Sequence, residues 1–235
     1  MISNIGKRCK MKSNGKNTSM EFACQQILQK IMAGEFVPGT PLREDHIAAE
    51  LGISSTPVRE AFRRLEYEGW LQRHPFRGVA LRKYTQKEIF DLYLLREALE
   101  STAAAAAAGN RTDEDLEQIR RCLEQEREFI SEHREQEPNA DPDLKFHSAI
   151  AAATHNELLR EKLDILKTQI SCLYLLYLNQ CQSDVLQNRE RVHEEHWMIF
   201  MAIQRGWISL AKALMEQHIA SARENHLKQF SDLQP

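Results

Sequence analysis

The sequence predicts a mainly α-helical protein of two domains. The predicted fold is a helix-turn-helix with a small β-hairpin wing over residues 20–84, followed by an all-α antiparallel helical bundle over residues 85–235. Three observations predict this class. Apolar residues recur at helical spacing through most of the chain, one short stretch has the pattern of two strands around a tight turn, and the net charge changes sign between the two parts.

The charge difference is large. Residues 1–84 contain 14 Lys and Arg against 8 Asp and Glu, a net charge of +6, whereas residues 85–235 contain 17 against 26, a net charge of −9. A positive domain suits a polyanionic partner, because neutralising phosphates releases counterions and contributes much of the affinity for nucleic acid. The alternative is a charge imbalance without function.

Composition argues against several protein classes. Five scattered cysteines without a CxxC pair do not form a disulfide framework or a cysteine zinc knuckle, and they favour a reducing, cytoplasmic compartment. No segment approaches the roughly 20 apolar residues of a membrane helix, and the start lacks the apolar stretch of a signal peptide. Residues 1–19 are polar and basic, so they are predicted to form a flexible arm.

The N-terminal pattern predicts a helix-turn-helix. Apolar residues recur at three- and four-residue steps from Met20 to Ala33, and Gly34 ends that helix. A Pro-Gly turn and a short helix over residues 44–51 follow. Gly52 then provides the bend before a further helix in the stretch GISSTPVREAFRRLEYEGW. Helix, glycine turn and helix at this separation are typical of the motif.

The second helix of the motif has two different faces. Val58, Phe62 and Leu65 lie at core-facing positions. Ser55, Arg59 and Arg63, which are four residues apart, form a separate outward stripe. Small donors at a helix tip can enter a major groove, where exposed amides and arginines meet phosphates and base edges. The alternative is a solvated surface stripe.

A β-hairpin is predicted after this helix. Gly69 ends the helix, and the segment WLQRHPFRGVALRK contains two short strands joined by a tight turn at residues 75–78. Arginines at positions 73, 77 and 82 make this hairpin basic. Such a hairpin would be a wing beside the helix-turn-helix.

These residues resemble a known family. The segment GEFVPGTPLREDHIAAELGISSTPVREAFRRLEYEGWLQRHPFRGVAL is similar to the winged-helix DNA-binding domain of the GntR family of bacterial transcription regulators, and the resemblance extends over about residues 20–84. Its Pro-Gly turn, TPVRE core, Leu-Glu-x-x-Gly helix end and Arg-Gly wing tip carry the match. The resemblance implies DNA contacts from Ser54, Ser55, Thr56 and Arg59, and minor-groove contacts from the wing tip at Arg77 and Gly78. Arg63, on the outward stripe, and Arg43 complete the predicted DNA-binding set.

Two positions depart from the family pattern. Ser55 stands where the family usually has an arginine, and Asp45 stands where it often has another basic residue. We therefore expect DNA binding with an altered or weaker choice of operator sequence.

The rest of the chain predicts helices throughout. Thr112 and Asp115 resemble a capping box, and Asp141-Pro142 resembles a cap followed by proline in the first helical turn. The first of these helices is predicted to bury Ile89, Leu92, Leu95 and Leu99. Together, the helices of this region are predicted to form an antiparallel bundle. Their predicted ranges are residues 86–108, 112–135, 157–181, 187–204 and 207–229, with a further helix after Pro142.

Four side chains in the bundle suggest a metal site. Asp143 and His147 are four residues apart, so they project from one face of one helix. His196 lies ten residues before the turn at Gly206 and His218 twelve after it, which places them at similar heights in an antiparallel pair. Imidazole and carboxylate ligands favour zinc, nickel, manganese or iron over calcium.

The alternative is a set of ordinary surface or core histidines. His193 is a further candidate ligand. Its spacing of three residues from His196 does not match the HExxH motif of zinc proteases, so that chemistry is not indicated.

A second resemblance covers this region. Residues 85–230 look like the all-helical effector domain of the FadR-type branch of the same family, the FCD domain, on the stretches LYLLREALE, DLKFHSAIAAATHN and EEHWMIFMAIQRGWISLAKALMEQHI. The resemblance implies a divalent transition metal, with zinc favoured, on Asp143, His147, His196 and His218. It also implies that Arg96 pairs with an effector carboxylate. The alternative for Arg96 is an internal salt bridge, to Glu97 or to neighbours of Glu100 on another helix.

The combined prediction is a cytoplasmic, homodimeric transcription factor. A two-fold dimer would bind a roughly palindromic double-stranded DNA operator, and a small carboxylate effector beside the metal would control that binding. Repression relieved by ligand is the common arrangement in the family. We predict no enzymatic activity, since no nucleophile-base spacing or phosphate loop is present. The alternatives are a metal-dependent enzyme using the Asp/His cluster and a non-regulatory protein that coats DNA.

Overall fold

A computed structural model describes residues 18–131, 142–177 and 185–232. The chain divides into two compact units, residues 1–84 and 85–235. Within the described residues of the first unit, the elements are α1 (Ser19–Met32), β1 (Pro41–Leu42), α2 (Glu44–Leu51), α3 (Ser55–Tyr67), β2 (Leu71–His74) and β3 (Gly78–Leu81).

The start of α1 is fixed by a capping box. Thr18 Oγ1 accepts a hydrogen bond from the Glu21 backbone N–H at 3.2 Å, and Glu21 Oε2 accepts from the Thr18 N–H at 2.9 Å. The helix therefore begins at Ser19, inside the segment predicted to be a flexible arm. The rest of that predicted arm, residues 1–17, lies outside the described residues.

The helix-turn-helix is formed as predicted by α2 and α3. Gly52 ends α2 with a φ of +66°, a left-handed conformation that glycine adopts without steric cost. Val58, Phe62 and Leu65 on α3 are fully buried, with an exposed fraction of 0%. The predicted core face of this helix is correct.

A small antiparallel sheet completes the first unit. Its strand order is β1-β3-β2, with Leu42 opposite Val79 and Leu71 opposite Leu81. The sequence predicted the β2–β3 hairpin but not β1. A strand of only two residues beside a Pro-Gly turn has too few positions to show an alternating pattern.

The second unit is helical in its described part. Its elements are α4 (Gln86–Asn110), α5 (Asp113–Ser131), α6 (Pro142–Ala153), α7 (Glu157–Leu176), α8 (Val185–Gln204) and α9 (Ile208–Asp232). The predicted helix end at Glu135, the Asp141 cap and the predicted helix end at Cys181 lie outside the described residues.

Local sequence signals set several helix ends in this unit. Thr112 Oγ1 accepts from the Asp115 N–H at 3.2 Å, and Asp115 Oδ2 accepts from the Thr112 N–H at 2.9 Å, so the predicted capping pair begins α5. Gly206, with a φ of +72°, ends α8 and allows α9 to return along it. The turn at Gly206 thus pairs α8 with α9, as the spacing argument required.

The predicted buried face of α4 is wrong in phase beyond its first residue. Ile89 is buried as predicted, but Leu95 is 50% exposed, and the buried positions after Ile89 include Tyr93, Arg96 and Glu100. Charged side chains occupy the interior because they interact with the side-chain cluster described below. A reading based on hydrophobicity alone assigns those positions to the surface.

The predicted fold class is confirmed: the structure is mainly helical, with a small antiparallel sheet in the first unit and a helical second unit. Among residues 18–131, 142–177 and 185–232, no helix combines the length and apolar character that a membrane span requires.

Candidate metal centre and nucleic-acid interface

Three helices bring four potential metal ligands together. Asp143 and His147 lie one turn apart on α6, His196 lies on α8, and His218 lies on α9. One ligand atom from each of these residues lies within 4.8 Å of every other. The structure therefore assembles the four residues that the spacing selected.

The donor atoms are spaced for one small cation. His218 Nε2 lies 3.3 Å from both His147 Nε2 and His196 Nε2. Asp143 Oδ1 lies 3.5 Å from His196 Nε2 and 3.7 Å from His147 Nε2. Donors at zinc-like bond lengths are about 3.4 Å apart in a tetrahedron and about 3.0 Å apart at adjacent octahedral positions. The four residues fit a divalent transition metal in both donor type and separation.

A carboxylate lies behind each histidine. His218 Nδ1–H donates to Glu195 Oε2 at 2.7 Å, and His196 Nδ1–H donates to Glu126 at 3.0 Å. His147 Nδ1 forms an ion pair with Glu100. Such partners hold the proton on Nδ1 and leave the Nε2 lone pair directed at the centre of the cluster, as in metal-bound histidines.

The cluster has an excess of negative charge. Four carboxylates, those of Glu100, Glu126, Asp143 and Glu195, lie in or against it, and the arginines paired with them are Arg96 and Arg191. With neutral histidines, the negative charges among these described residues exceed the positive charges by two. Buried charge is costly unless it is compensated, so this balance favours a divalent cation.

Two groups at the cluster have raised pKa values. Burial lowers the pKa of His147, but the carboxylates of Glu100 and Asp143 outweigh it and raise that pKa to about 9. Burial raises the pKa of Glu126 to about 7. Both groups therefore hold protons at higher pH than usual. A bound metal cation would compete with those protons.

The other two histidines are held neutral. Burial lowers the pKa of His196 to about 3 and that of His218 to about 4. His196 has an exposed fraction of 0%, and Asp143 is the most accessible of the four ligands, with a side chain 33% exposed. Neutral imidazoles are the form that binds metal.

Arg96 forms an ion pair with a residue of its own helix. Its Nε–H donates to Glu100 Oε1 at 2.6 Å, and its Nη2 lies 3.8 Å from Asp143 Oδ2. Arg96 therefore forms an internal salt bridge, which was the alternative to an effector contact. Its partner is Glu100, and not Glu97 as that alternative first suggested. Glu97 pairs with Arg223 at 2.7 Å. The effector contact predicted for Arg96 would require exchange of these partners.

A small cavity adjoins the cluster. It has a volume of about 20 Å³, enough for about one water molecule. Its lining includes Arg96, His147, Ser148, Leu163, Lys167 and Ile170. A small organic acid would need this lining to move.

His193 is not a member of the cluster. Its Nδ1–H donates to Glu126 Oε2 at 2.8 Å, and its Nε2 accepts from Trp197 Nε1–H at 3.0 Å. Both ring nitrogens are therefore occupied by protein groups. His193, the alternative candidate ligand, is therefore not among the four clustered donors.

The sequence did not identify the carboxylates behind the histidines. Glu195 precedes His196 but contacts His218, while Glu126 comes from α5 and contacts both His193 and His196. Glu100 is the one with a local signal, because it lies four residues after Arg96 on α4.

In the first unit, the residues predicted to face DNA are exposed or partly exposed. Ser54 is the N-cap residue, but its side chain makes no capping hydrogen bond. Ser55 is partly exposed. The exposed members of the set are Arg43, Ser54, Thr56, Arg59 and Arg63 from the helix-turn-helix and Arg77 and Gly78 from the β2–β3 turn.

Two of these arginines form ion pairs with acids near the start of α2. Arg59 Nε lies 2.8 Å from Glu44 Oε2, and Arg43 Nη2 lies 2.7 Å from Asp45 Oδ2. Exposed pairs of this kind contribute only about 0–1 kcal/mol. A phosphate can therefore replace the carboxylate at little cost.

Two family models match the chain. The model described as "Bacterial regulatory proteins, gntR family" matches residues 20–81, and the model described as "FCD domain" matches residues 91–221, more than half of the chain. The chain belongs to the GntR family of bacterial regulatory proteins.

Named relatives of this GntR-family chain are transcriptional regulators. The probable D-xylose utilization operon transcriptional repressor of Paenarthrobacter nicotinovorans is 30% identical over 195 residues, which cover 83% of this chain and 83% of the relative. The HTH-type transcriptional repressor RspR of Escherichia coli K12 is 27% identical over 188 residues, 80% of each chain. The GntR-family chain is thus a DNA-binding transcriptional regulator and not an enzyme.

Solved structures show the same fold. E. coli McbR/YncC has a TM-score of 0.70 at 20% identity, covering 92% of this chain and 100% of that one. A putative GntR regulator from Rhodococcus sp. RHA1 has a TM-score of 0.67 at 22% identity, covering 90% and 99%. At these identities the likeness concerns the fold alone.

Proposed function

We propose that this regulator senses a small organic acid through a divalent metal in its helical unit, and that the bound acid changes its affinity for an operator. One observation carries the proposal. Three histidine Nε2 atoms and Asp143 Oδ1 converge, while a carboxylate holds the opposite nitrogen of each histidine. This is the arrangement expected of metal ligands.

The ligands proposed for the metal are Asp143, His147, His196 and His218. Zinc is the first candidate, and nickel, manganese and iron also suit imidazole and carboxylate donors. A bound divalent cation with open coordination positions would supply a positive charge that attracts the carboxylate of the acid.

Arg96 is proposed as the second contact for the acid. Its guanidinium is buried between Glu100 and Asp143, so an incoming carboxylate would compete with Glu100 for it. The adjoining cavity holds about one water. Binding would therefore require a different packing of α4, α6 and α7. A ligand that favours one packing over another is what control of DNA binding requires.

The proposed DNA interface consists of the start of α3 and the wing. Ser54, Ser55, Thr56, Arg59 and Arg63 would enter the major groove, with Arg43 on the phosphates and Arg77 and Gly78 at the minor groove. Regulators of this family typically dimerise. We propose a homodimer on a roughly palindromic operator, because two equivalent reading heads match two equivalent half-sites.

Repression relieved by the acid is the proposed sign of regulation. Its support is that both named relatives above are described as repressors.

The test uses a duplex selected from random DNA by the purified protein itself. Zinc, and then a panel of small mono- and dicarboxylic acids, are added to the parent, to His196→Ala/His218→Ala and to His155→Ala. His155 is a matched control, since it is a half-exposed histidine paired with Asp115 outside the cluster. Elemental analysis, thermal shift and fluorescence anisotropy are measured.

The proposal expects metal in the parent and in the control but not in the double variant. It also expects that at least one acid stabilises the metal-loaded parent and weakens its DNA binding. Equal metal content in all three proteins would refute the assigned ligands. Metal-dependent DNA binding that no carboxylic acid alters would refute the assigned effector class.

A further inference from the structure

The wing tip exposes an aromatic side chain. The turn between β2 and β3 consists of Pro75, Phe76 and Arg77, closed by the His74–Gly78 pair. The exposed fraction of Phe76 is 109%, and the next most exposed large apolar residue in the described chain is Val37, at 66%. The ring of Phe76 is thus fully exposed to solvent.

The backbone of Phe76 is in an unfavourable conformation as well. Its φ is +64°, in the left-handed region. Tight turns place glycine or asparagine at such positions, and a bulky residue there is a genuine outlier. A fully exposed ring and a strained backbone at one residue are independent observations, and neither contributes to the packing of the unit. Strain of this kind is typical of ligand-contacting positions.

The hairpin tip that carries Phe76 is basic and narrow. Arg77 is exposed beside it at the tip. Lower on the hairpin, Arg73 pairs with Glu66 at 3.0 Å, and Arg82 stacks over the Tyr84 ring at 4.6 Å. A tip of three residues with one exposed arginine suits the minor groove of DNA, which is about 6 Å wide.

We propose that Phe76 is a DNA wedge, inserting its ring at a base step in the minor groove beside Arg77 and bending the duplex. Apolar side chains that enter the minor groove partly unstack a base step and kink the DNA. This contact adds to the DNA binding established for the family. Its strength depends on how easily the contacted base step deforms. A pyrimidine–purine step would be preferred because such steps unstack most readily.

Charge and stacking can be separated by salt dependence. A neutral ring releases no counterions, so loss of Phe76 lowers affinity without changing the slope of log K against log salt. Loss of Arg77 lowers that slope by about one. These two adjacent residues therefore give different signatures.

The experiment compares Phe76→Asn, Phe76→Trp and Arg77→Ala with the parent. Asparagine tolerates positive φ, so Phe76→Asn removes the ring while preserving the turn. Tyr67→Ala is the control, because Tyr67 is 63% exposed at the far end of α3. Anisotropy across a potassium chloride series and energy transfer between duplex ends are measured on a duplex selected from random DNA by the parent protein. Thermal unfolding of each variant verifies its fold.

Phe76→Asn is expected to bind about 10-fold more weakly, within the range for loss of one base–aromatic contact. Its salt slope should be unchanged and its DNA bend smaller, while Phe76→Trp and Tyr67→Ala resemble the parent. Affinity within about two-fold of the parent, or an unchanged bend, overturns the proposal. So does a Phe76→Asn defect that tryptophan does not restore, or one that Tyr67→Ala reproduces.

Discussion

Glu126→Gln tests the role of a residue that does not itself contact the proposed metal. Glu126 accepts hydrogen bonds from His193 Nδ1–H at 2.8 Å and from His196 Nδ1–H at 3.0 and 3.1 Å. Glutamine has the same shape but only one acceptor oxygen, and its amide N–H groups would face a ring N–H. His196 would then favour a proton on Nε2, the atom directed at the cluster.

The expected loss is that of an outer-shell carboxylate. Such partners typically contribute 10- to 100-fold in metal affinity, or about 1.4 to 2.7 kcal/mol. Calorimetric titration with zinc at pH 8 measures this loss. Glu124→Gln is the matched control, because Glu124 lies on the same helix and is about half exposed, pairing with Arg120. Parent-like zinc affinity in Glu126→Gln would refute the positioning argument.

The metal-free proteins should behave differently. Burial raises the pKa of Glu126 from 4.5 to about 7. Since the folded state holds this proton more tightly than the unfolded state, the parent loses stability as pH rises from about 4.5 through 7, by up to about 3 kcal/mol. Glutamine cannot ionise, so the variant lacks this loss. Denaturant unfolding at pH 5 and pH 8 with a chelator measures the difference, and equal pH dependence in both proteins would contradict it.

Three further predictions concern His147, Arg59 and Gly206. Because carboxylates raise the pKa of His147 to about 9, zinc binding at pH 8 should release about one proton; calorimetry in two buffers of different ionisation heat measures it, and identical heats would contradict it. Arg59→Ala should weaken operator binding and lower the salt slope by about one, whereas Arg121→Ala, an exposed arginine of α5, should not; an unchanged isotherm would remove Arg59 from the interface. Gly206→Ala should cost about 1–3 kcal/mol of unfolding free energy, because its φ is +72° and a Cβ would lie 3.2 Å from Arg111 Nη2; unchanged denaturation would argue against this turn geometry.

The sequence predicted the two pairs of clustered residues because each pair had a local signal, and the family resemblance joined the pairs into one set. Asp143 and His147 share a helix, and the positions of His196 and His218 depend only on two regular helices and the turn at Gly206. The Nε2 atoms of the last two lie 3.3 Å apart in the structure. A contact that depends only on the spacing along one helix or one helical hairpin can be predicted from the sequence.

Other features depend on packing between distant elements. Glu126 reaches His196 across 70 positions of sequence, and no spacing rule connects α5 to α8. The phase of α4 was wrong because Arg96 and Glu100 are buried through contact with α6. Buried charges of this kind become apparent only once the partner helix is in place.

Anomalous diffraction from crystals of the zinc-loaded protein would locate the metal directly. We expect a peak at the zinc edge within bonding distance of Asp143 Oδ1 and the Nε2 atoms of His147, His196 and His218, at about 2.0–2.2 Å. A zinc peak elsewhere, for example at His155 or His193, with none among these four residues, would contradict it.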